Sequence, residues 1–288
     1  MKMELTSPRV IKEIAERFGF SFSKGLGQNF LLDSNVLDKI ADAADIDDGV
    51  LEIGPGFGVL TKRLCETGKK VVSVEIDKRL IPVLDFTLAE FDNIKIIEKD
   101  ILKTDVKALI DEEFDGKRIS VAANLPYYIT TPIITKLIEE KLPIKNIVVM
   151  VQKEVAERIA AKPGKKDYGA ISVLCQYYTN PRLVTIVPAG SFYPPPKVDS
   201  AVLCMEVQDK PNVEVLDEKL FFKVVKAAFS QRRKTLLNCL SSGFSCGKER
   251  LTELLDQAGI DPGIRGEKLG LSEFGKIADT LKENGIES

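Results

Sequence analysis

The chain has 288 residues, 44% hydrophobic and 29% charged, with a formal net charge of -2. That supports one large domain and a small one and excludes a globally basic nucleic-acid binder, so any RNA contact must rest on positive charge gathered on one face. There is no histidine, which removes Ser-His-Asp and Cys-His mechanisms and histidine-containing metal sites.

Cys65, Cys175, Cys204, Cys239 and Cys246 are scattered, with no Cys-x-x-Cys. They read as reduced, mostly core residues of a cytosolic protein, with no metal site expected. The sequence offers no secretory signal and no apolar run long enough to span a membrane, so a cytoplasmic location is expected.

In chain order, Val10, Ile11, Ile14 and Ala15 fall at helical spacing between Pro8 and Phe18. Phe22 to Leu31, with Gly25, Gly27, Gln28 and Asn29, reads as a flexible loop able to lie against a ligand, or as a linker. Asp33 is placed to cap a helix running to about Asp45. Gly49 to Glu52 is a short apolar strand that ends in Ile53-Gly54-Pro55-Gly56-Phe57-Gly58, and a helix follows from Val59. Strand, glycine-rich turn, helix is a nucleotide-binding opening. The dinucleotide spacing requires glycine where Val59 stands, so a nucleoside ligand without phosphates, such as S-adenosyl-methionine, suits the turn better.

Lys70 to Asp77 is the second strand, and Glu75 stands about twenty residues past the first glycine, where an acid meets ribose hydroxyls. A helix from Lys78 to Ala89 follows, then strands at Ile94 to Glu98 and Ile119 to Ala123. The βαβαβ alternation predicts a parallel sheet whose strand ends gather Gly54, Gly56, Glu75, Asp100 and Asn124 along one crevice. Thr131 and Pro132 open a helix to Lys141, and Asn146 to Val151 is a wholly apolar strand. Helices are predicted at Lys153 to Ala160 and Gly169 to Tyr178, joined by a loop carrying Lys162, Lys165 and Lys166 that is either a solvated turn or an RNA-facing rim. Strands at Arg182 to Val187 and Ala201 to Val207 flank a stiff proline loop, Phe192 to Ser200. After Asp209 the strand pattern stops and helices are predicted at Glu218 to Ser230, Arg233 to Leu240, Lys248 to Ala258 and Ser272 to Lys282. The expected domains are therefore residues 1–208 and 209–288.

Val121 to Tyr128 carries the chemistry. Asn124 offers a carbonyl acceptor. Pro126 forces Leu125 into an extended conformation, so the Leu125 carbonyl can point outward. Tyr127 or Tyr128 offers a flat face. These make a clamp for a planar group bearing an NH₂, such as a nucleobase with an exocyclic amine; the bland alternative is a strand end with packed tyrosines. Phosphate contacts are expected from local clusters: Lys24, the loop with Lys165 and Lys166, and Arg232-Arg233-Lys234, where a solvated helix junction is the alternative.

With these pieces in order, the chain resembles the KsgA family of small-subunit ribosomal RNA adenine dimethyltransferases, from about Gly25 to the C-terminus. The resemblance rests on GLGQNFL (Gly25 to Leu31), LEIGPGFG (Leu51 to Gly58), VEID (Val74 to Asp77), NLPYYITTP (Asn124 to Pro132), QKEVAERI (Gln152 to Ile159), YGAISVLCQYY (Tyr168 to Tyr178), FYPPPKVDSAV (Phe192 to Val202) and FSQRRKTL (Phe229 to Leu236). It implies an α/β class I S-adenosyl-methionine-dependent methyltransferase fold, Rossmann-like and mostly parallel with an antiparallel last strand, plus a small all-α C-terminal domain that contacts RNA. It implies double methylation of two adjacent adenosines near the 3′ end of small-subunit rRNA, within an assembling subunit. By the same resemblance Asn29, Leu31 and Gly54 contact the cofactor, under a cofactor-covering N-terminal segment. Glu75 holds the cofactor ribose, Asp100 its adenine amine, and Asn124 bridges cofactor and target base. Tyr127 and Phe192 stack the flipped base. Lys99 stands before Asp100 where the family often has a small residue. The alternatives are an Erm-type large-subunit rRNA methyltransferase, a non-catalytic assembly factor on the same fold, and a small-molecule amine methyltransferase.

Overall fold

A computed structural model describes residues 4–21 and 29–287. Two compact units emerge, Met1–Ala156 with Pro181–Val207, and Glu157–Asn180 with Gln208–Ser288. The elements run α1 (Pro8–Arg17), β1 (Phe30–Leu31), α2 (Ser34–Ala44), β2 (Gly49–Ile53), α3 (Val59–Cys65), β3 (Lys70–Glu75), α4 (Ile81–Thr87), β4 (Ile94–Glu98), α5 (Val106–Phe114), β5 (Ile119–Asn124), α6 (Thr130–Glu139), β6 (Ile144–Gln152), α7 (Lys153–Ile159), α8 (Ala170–Tyr178), β7 (Thr179–Val187), β8 (Phe192–Tyr193) and β9 (Ser200–Val207). Four helices follow: α9 (Glu218–Ala228), α10 (Leu236–Gly243), α11 (Lys248–Gln257) and α12 (Leu271–Glu283).

The first unit is built on a seven-stranded sheet of order β4-β3-β2-β5-β6-β9-β7. Strands β4, β3, β2, β5 and β6 pair in parallel, and β9 runs antiparallel to β6. This is the expected α/β class. The central strands are apolar on both faces because helices cover both; β2 is buried at every residue, and β3 and β5 at all but one. Aspartates start the helices: the Asp33 and Asp105 carboxylates accept from the N–H groups of Asn35 and Ala108. α5, with Val106, Leu109, Ile110 and Phe114 buried, was not anticipated from the sequence. α6 begins at Thr130, one residue earlier than Thr131, with the Thr130 hydroxyl donating to the Pro126 carbonyl at 3.2 Å. Among the described residues no helix is long and apolar enough to cross a membrane.

The second unit is helical, and its boundary differs from the expected 208/209 division. Glu157–Asn180 joins it because Tyr168, Val173 and Tyr177 share a core with Leu220, Phe221, Val224 and Phe274. The Tyr177 ring lies 4.8 Å from that of Phe221. An aromatic helix face needs an apolar partner, and α9 supplies it. The Arg232-Arg233-Lys234 cluster lies in an exposed turn before α10, where the sequence pattern had suggested helix from Arg233.

One buried acid lies inside β2. Glu52 is 1% exposed, and its Oε2 accepts the Ser73 hydroxyl at 2.6 Å. Its Oε1 is buried without a hydrogen-bond partner, as is the Thr61 hydroxyl. Burial pushes the carboxyl from 4.5 up to about 7, the Ser73 and Thr61 hydroxyls oppose this, and the Glu75 charge adds to it. The Thr61 hydroxyl interacts with the carboxyl without reaching hydrogen-bond geometry. Between about 4.5 and 7 the folded chain keeps a proton that the unfolded chain has released, so stability falls as pH rises through that window. The full cost above it is about 3 kcal/mol. Glu52→Gln keeps an acceptor for Ser73, adds a donor facing Thr61 and carries no charge. Thermal denaturation should show the unaltered protein losing stability from pH 5 to pH 8 and the variant losing much less; parallel pH curves for the two would mean that Glu52 holds no such proton.

Candidate active site at the strand ends

The turn after β2 is shaped by three glycines in the left-handed region, Gly54 (φ +71), Gly56 (φ +61) and Gly58 (φ +81). The Gly54 N–H donates to the Val74 carbonyl at 3.0 Å, which ties the turn to β3. Glu75, at the end of β3, is 4% exposed. Its carboxylate accepts the Asp77 N–H at 2.8 Å and the Gly56 N–H at 3.3 Å. Burial pushes this carboxyl up, and the two backbone donors pull it back toward the charged form. The Lys99 N–H donates to the Glu75 carbonyl at 3.0 Å, so the chain leaving β4 is registered on β3. Asp100 follows, its Oδ1 accepting the Leu102 N–H at 3.0 Å and its side chain 27% exposed.

Asn124 ends β5. Its Nδ2 donates to the Asn29 carbonyl at 2.9 Å, which leaves the Oδ1 acceptor for a ligand. The Leu125 N–H donates to the Met150 carbonyl at 3.1 Å, and no described residue donates to the Leu125 carbonyl. The chain then turns, with the Ile129 N–H donating to the Pro126 carbonyl at 3.2 Å. The Tyr127 hydroxyl is 2.7 Å from the Ser200 hydroxyl on β9, and burial pushes its phenol up, so it stays neutral.

One cavity of about 310 Å³ is lined by Asn29, Leu31, Gly54, Gly56, Glu75, Asp100, Asn124, Leu125, Pro126 and Tyr127. A Cβ built on Gly54 would meet nothing within 4 Å, so the turn leaves room for a ligand at that point. Ile76 and Tyr128, each 58% exposed, also line this cavity; Tyr128 was one of the two candidate ring faces in the sequence, and Ile76 was not singled out. The signal for Ile76 was an apolar residue one step past the last buried position of a strand.

Phe192 is 4% exposed and stands opposite Leu31 in the two-stranded β1–β8 sheet. Leu31 lines the cavity, and Phe192 shares its core cluster without being among the lining residues. Lys24 lies outside the described residues.

The second unit brings its two basic stretches together. The Tyr168 ring meets Phe229 at 5.8 Å, and the Gly164 N–H donates to the Glu267 carbonyl at 2.7 Å. The loop with Lys162, Lys165 and Lys166 therefore adjoins both the Arg232-Arg233-Lys234 turn and the segment with Arg265 and Lys268. All of these cations are exposed and none is ion-paired to a described residue. Arg265 and Lys268 were missed in the sequence because single charges in a short loop carry no pattern.

Cys65 and Cys175 are pushed up to about 12 by burial, so neither is a thiolate nucleophile. Among the described residues no group of Cys, Asp and Glu could hold a metal ion.

A mostly parallel sheet with a glycine turn, an acid at each of two strand ends and an Asn-Leu-Pro-Tyr turn defines a class I nucleic-acid amine methyltransferase. Residues 19–283 match the model of the family described as Ribosomal RNA adenine dimethylase, and the chain belongs to that family. It is 52% identical over 284 residues to the Ribosomal RNA small subunit methyltransferase A of Bacillus cytotoxicus and to that of Bacillus mycoides, covering 96% of this chain and 97% of each relative. A dimethyladenosine transferase from Plasmodium falciparum has the same fold, with TM-score 0.75 and 27% identity over 89% of this chain and 98% of that one. The 23S rRNA methyltransferase ErmE is similar with TM-score 0.68 and 26% identity over 88% of this chain and 100% of that one. This chain is an rRNA adenine dimethyltransferase; its relatives at higher identity are small-subunit enzymes.

The glycine turn yields a paired prediction. A Cβ on Gly56 would come 2.6 Å from the Phe30 ring, which itself packs edge-on against Phe57 at 4.8 Å. Both Gly54→Ala and Gly56→Ala strain a positive φ, but only Gly56→Ala adds this collision, and it should cost more than about 1 kcal/mol. Its melting temperature should fall by several degrees more than that of Gly54→Ala, whose methyl projects into the cavity and should weaken ligand binding. Equal melting temperatures would show that Phe30 yields freely.

Proposed function

We propose that the chain uses S-adenosyl-methionine to dimethylate the exocyclic amines of two adjacent adenosines near the 3′ end of small-subunit rRNA, within an assembling small ribosomal subunit in the cytoplasm. The observation that carries this reading is the Asn124 side chain: its NH₂ is committed to Asn29, so its carbonyl is offered to the cavity that also holds Glu75 and Asp100. Family membership supports the reaction, and the 52% identity to small-subunit enzymes supports the small subunit over 23S rRNA as substrate.

The residues fit a nucleoside methyl donor. Glu75 is an acceptor for ribose hydroxyls, Asp100 for an adenine amine, and Gly54, Gly56, Asn29 and Leu31 leave backbone close to the ligand. When bound, the donor supplies an activated methyl group on a sulfonium.

The target amine is a poor nucleophile because its lone pair is delocalised into the ring. Asn124 Oδ1 and the Leu125 carbonyl accept its two hydrogens and favour tetrahedral nitrogen, which localises the lone pair. This is orientation and electrostatics, and a chain without histidine needs no strong base to achieve it. Tyr127, anchored through Ser200, offers one face to the flipped base. The cations of the second unit, Lys165, Lys166, Arg232, Arg233 and Lys234 with Arg265 and Lys268, hold the phosphates, joined by Lys24 from the N-terminal segment.

Asn124→Ala should lower methyl transfer by roughly 10²–10³-fold, the range for removing one polar group aimed at a reacting centre, and change RNA affinity little. Equal losses in both, measured by methyl incorporation and filter binding, would make Asn124 structural. Changing Arg232, Arg233 and Lys234 together to alanine should flatten the plot of log affinity against log salt by up to roughly 2–3 units, since each phosphate contact contributes about -0.9 for duplex and -0.7 for single strands. Affinity for the methyl donor should be unchanged. An unaltered salt slope would reduce the cluster to a solvated turn.

A further inference from the structure

Of the chain's six tyrosines, all described, only Tyr128 is exposed, and no described phenylalanine is exposed. Its exposure, 58%, is unusual for a ring that could have packed inward, and it lies on the wall of the cavity that holds Asn124, Leu125 and Pro126. An aromatic face left in water on the wall of a cavity is a surface for another ring.

Tyr127 and Tyr128 are consecutive residues of one turn, and they are treated oppositely. Tyr127 is half-buried and tied to β9 through Ser200. Tyr128 projects outward. Adjacent side chains that diverge in this way cannot sandwich one purine between them, so they serve two different rings.

The substrate of the proposed reaction contains two target purines side by side. When one is drawn into the cavity its neighbour loses a stacking partner. We propose that Tyr128 stacks on the purine adjoining the reacting adenosine and holds the second target base while the first is modified. This rests on the dimethylase reading above and adds a positioning residue to it. No hydroxyl chemistry is involved, only the ring face. Stacking of one base on an aromatic side chain corresponds to roughly 5- to 150-fold in affinity.

The test uses the full chain, small ribosomal subunits purified from cells lacking this protein, and S-adenosyl-methionine, with mass spectrometry counting methyl groups on each adenosine over time. Tyr128→Ala should raise the KM for subunits by roughly 5- to 150-fold with a smaller effect on kcat, and partly methylated rRNA should accumulate. Tyr128→Phe should behave as the unaltered protein. Calorimetry with S-adenosyl-homocysteine should give the same affinity for all three. A Tyr128→Ala time course and product distribution matching the unaltered protein overturns the proposal. So does a loss of S-adenosyl-homocysteine affinity that matches the loss of transfer, which would make Tyr128 part of the cofactor wall, and so does failure of Tyr128→Phe to restore activity. If the unaltered protein transfers no methyl to these subunits, the dimethylase reading fails, and this inference fails with it.

Discussion

The carboxylate of Glu75 is the point on which the site depends. It is nearly without solvent contact, and a buried carboxylate is stable only when donors surround it. Two backbone N–H groups do so, one from Asp77 just beyond its own strand and one from Gly56 in the turn after β2. The acid therefore fixes the glycine turn, and the turn fixes the acid. Neither could be satisfied if β2 and β3 were not parallel neighbours in register, with Ile53 beside Val74. Gly56 must be glycine for the same arrangement, because Phe30 occupies the space where its side chain would stand.

A second tie runs across the whole first unit. Asn29 precedes β1, and its carbonyl receives the Asn124 side chain from the end of β5. β1 in turn pairs with β8, Phe30 opposite Tyr193 and Leu31 opposite Phe192. Residues 29–31 are thus held at the rim by backbone pairing and by the Asn124 side chain. This explains why Asn124 presents its carbonyl and not its NH₂ to the cavity.

Most of the site was legible in the sequence because the parallel sheet converts strand ends into neighbours. Gly54, Glu75, Asp100 and Asn124 needed only the strand pattern and one topological rule. The failures have physical causes. α5 carries Glu113 on a buried face, satisfied by Lys70 and Lys95, so an acid interrupts what would otherwise read as an apolar stripe. β8 has two residues, too few for any period, and its pairing partner β1 lies more than a hundred and fifty positions away. The segment Glu157–Asn180 runs into β7 and precedes β8 and β9 in the chain, yet its tyrosines pack with α9 and α12, and composition cannot assign such a partner. Positive charge behaved likewise: the lysine loop and the arginine turn were visible singly, and only Tyr168 against Phe229 makes them adjacent.

The acidic balance of the chain is compatible with binding RNA if unpaired cations gather locally. In the first unit Lys62, Arg63, Lys70, Lys95, Lys107 and Lys145 are each paired with an aspartate or glutamate. The exposed pairs among these add little stability, but all of them engage the cation with a carboxylate and make it a weaker phosphate site. On the proposed reading, the unpaired cations of the second unit, among them Arg232, Arg233 and Lys234, supply the attractive surface. Phosphate contacts of this kind carry no information about base identity, so selection falls to the cavity. There the acceptors are decisive on the proposed reading. Asn124 Oδ1 and the Leu125 carbonyl favour a ring that presents an NH₂, and they repel the carbonyl that guanine or uracil would present at the same edge. The selection of an amine-bearing ring over a carbonyl-bearing one then follows from two lone pairs, with no charged group taking part in the choice.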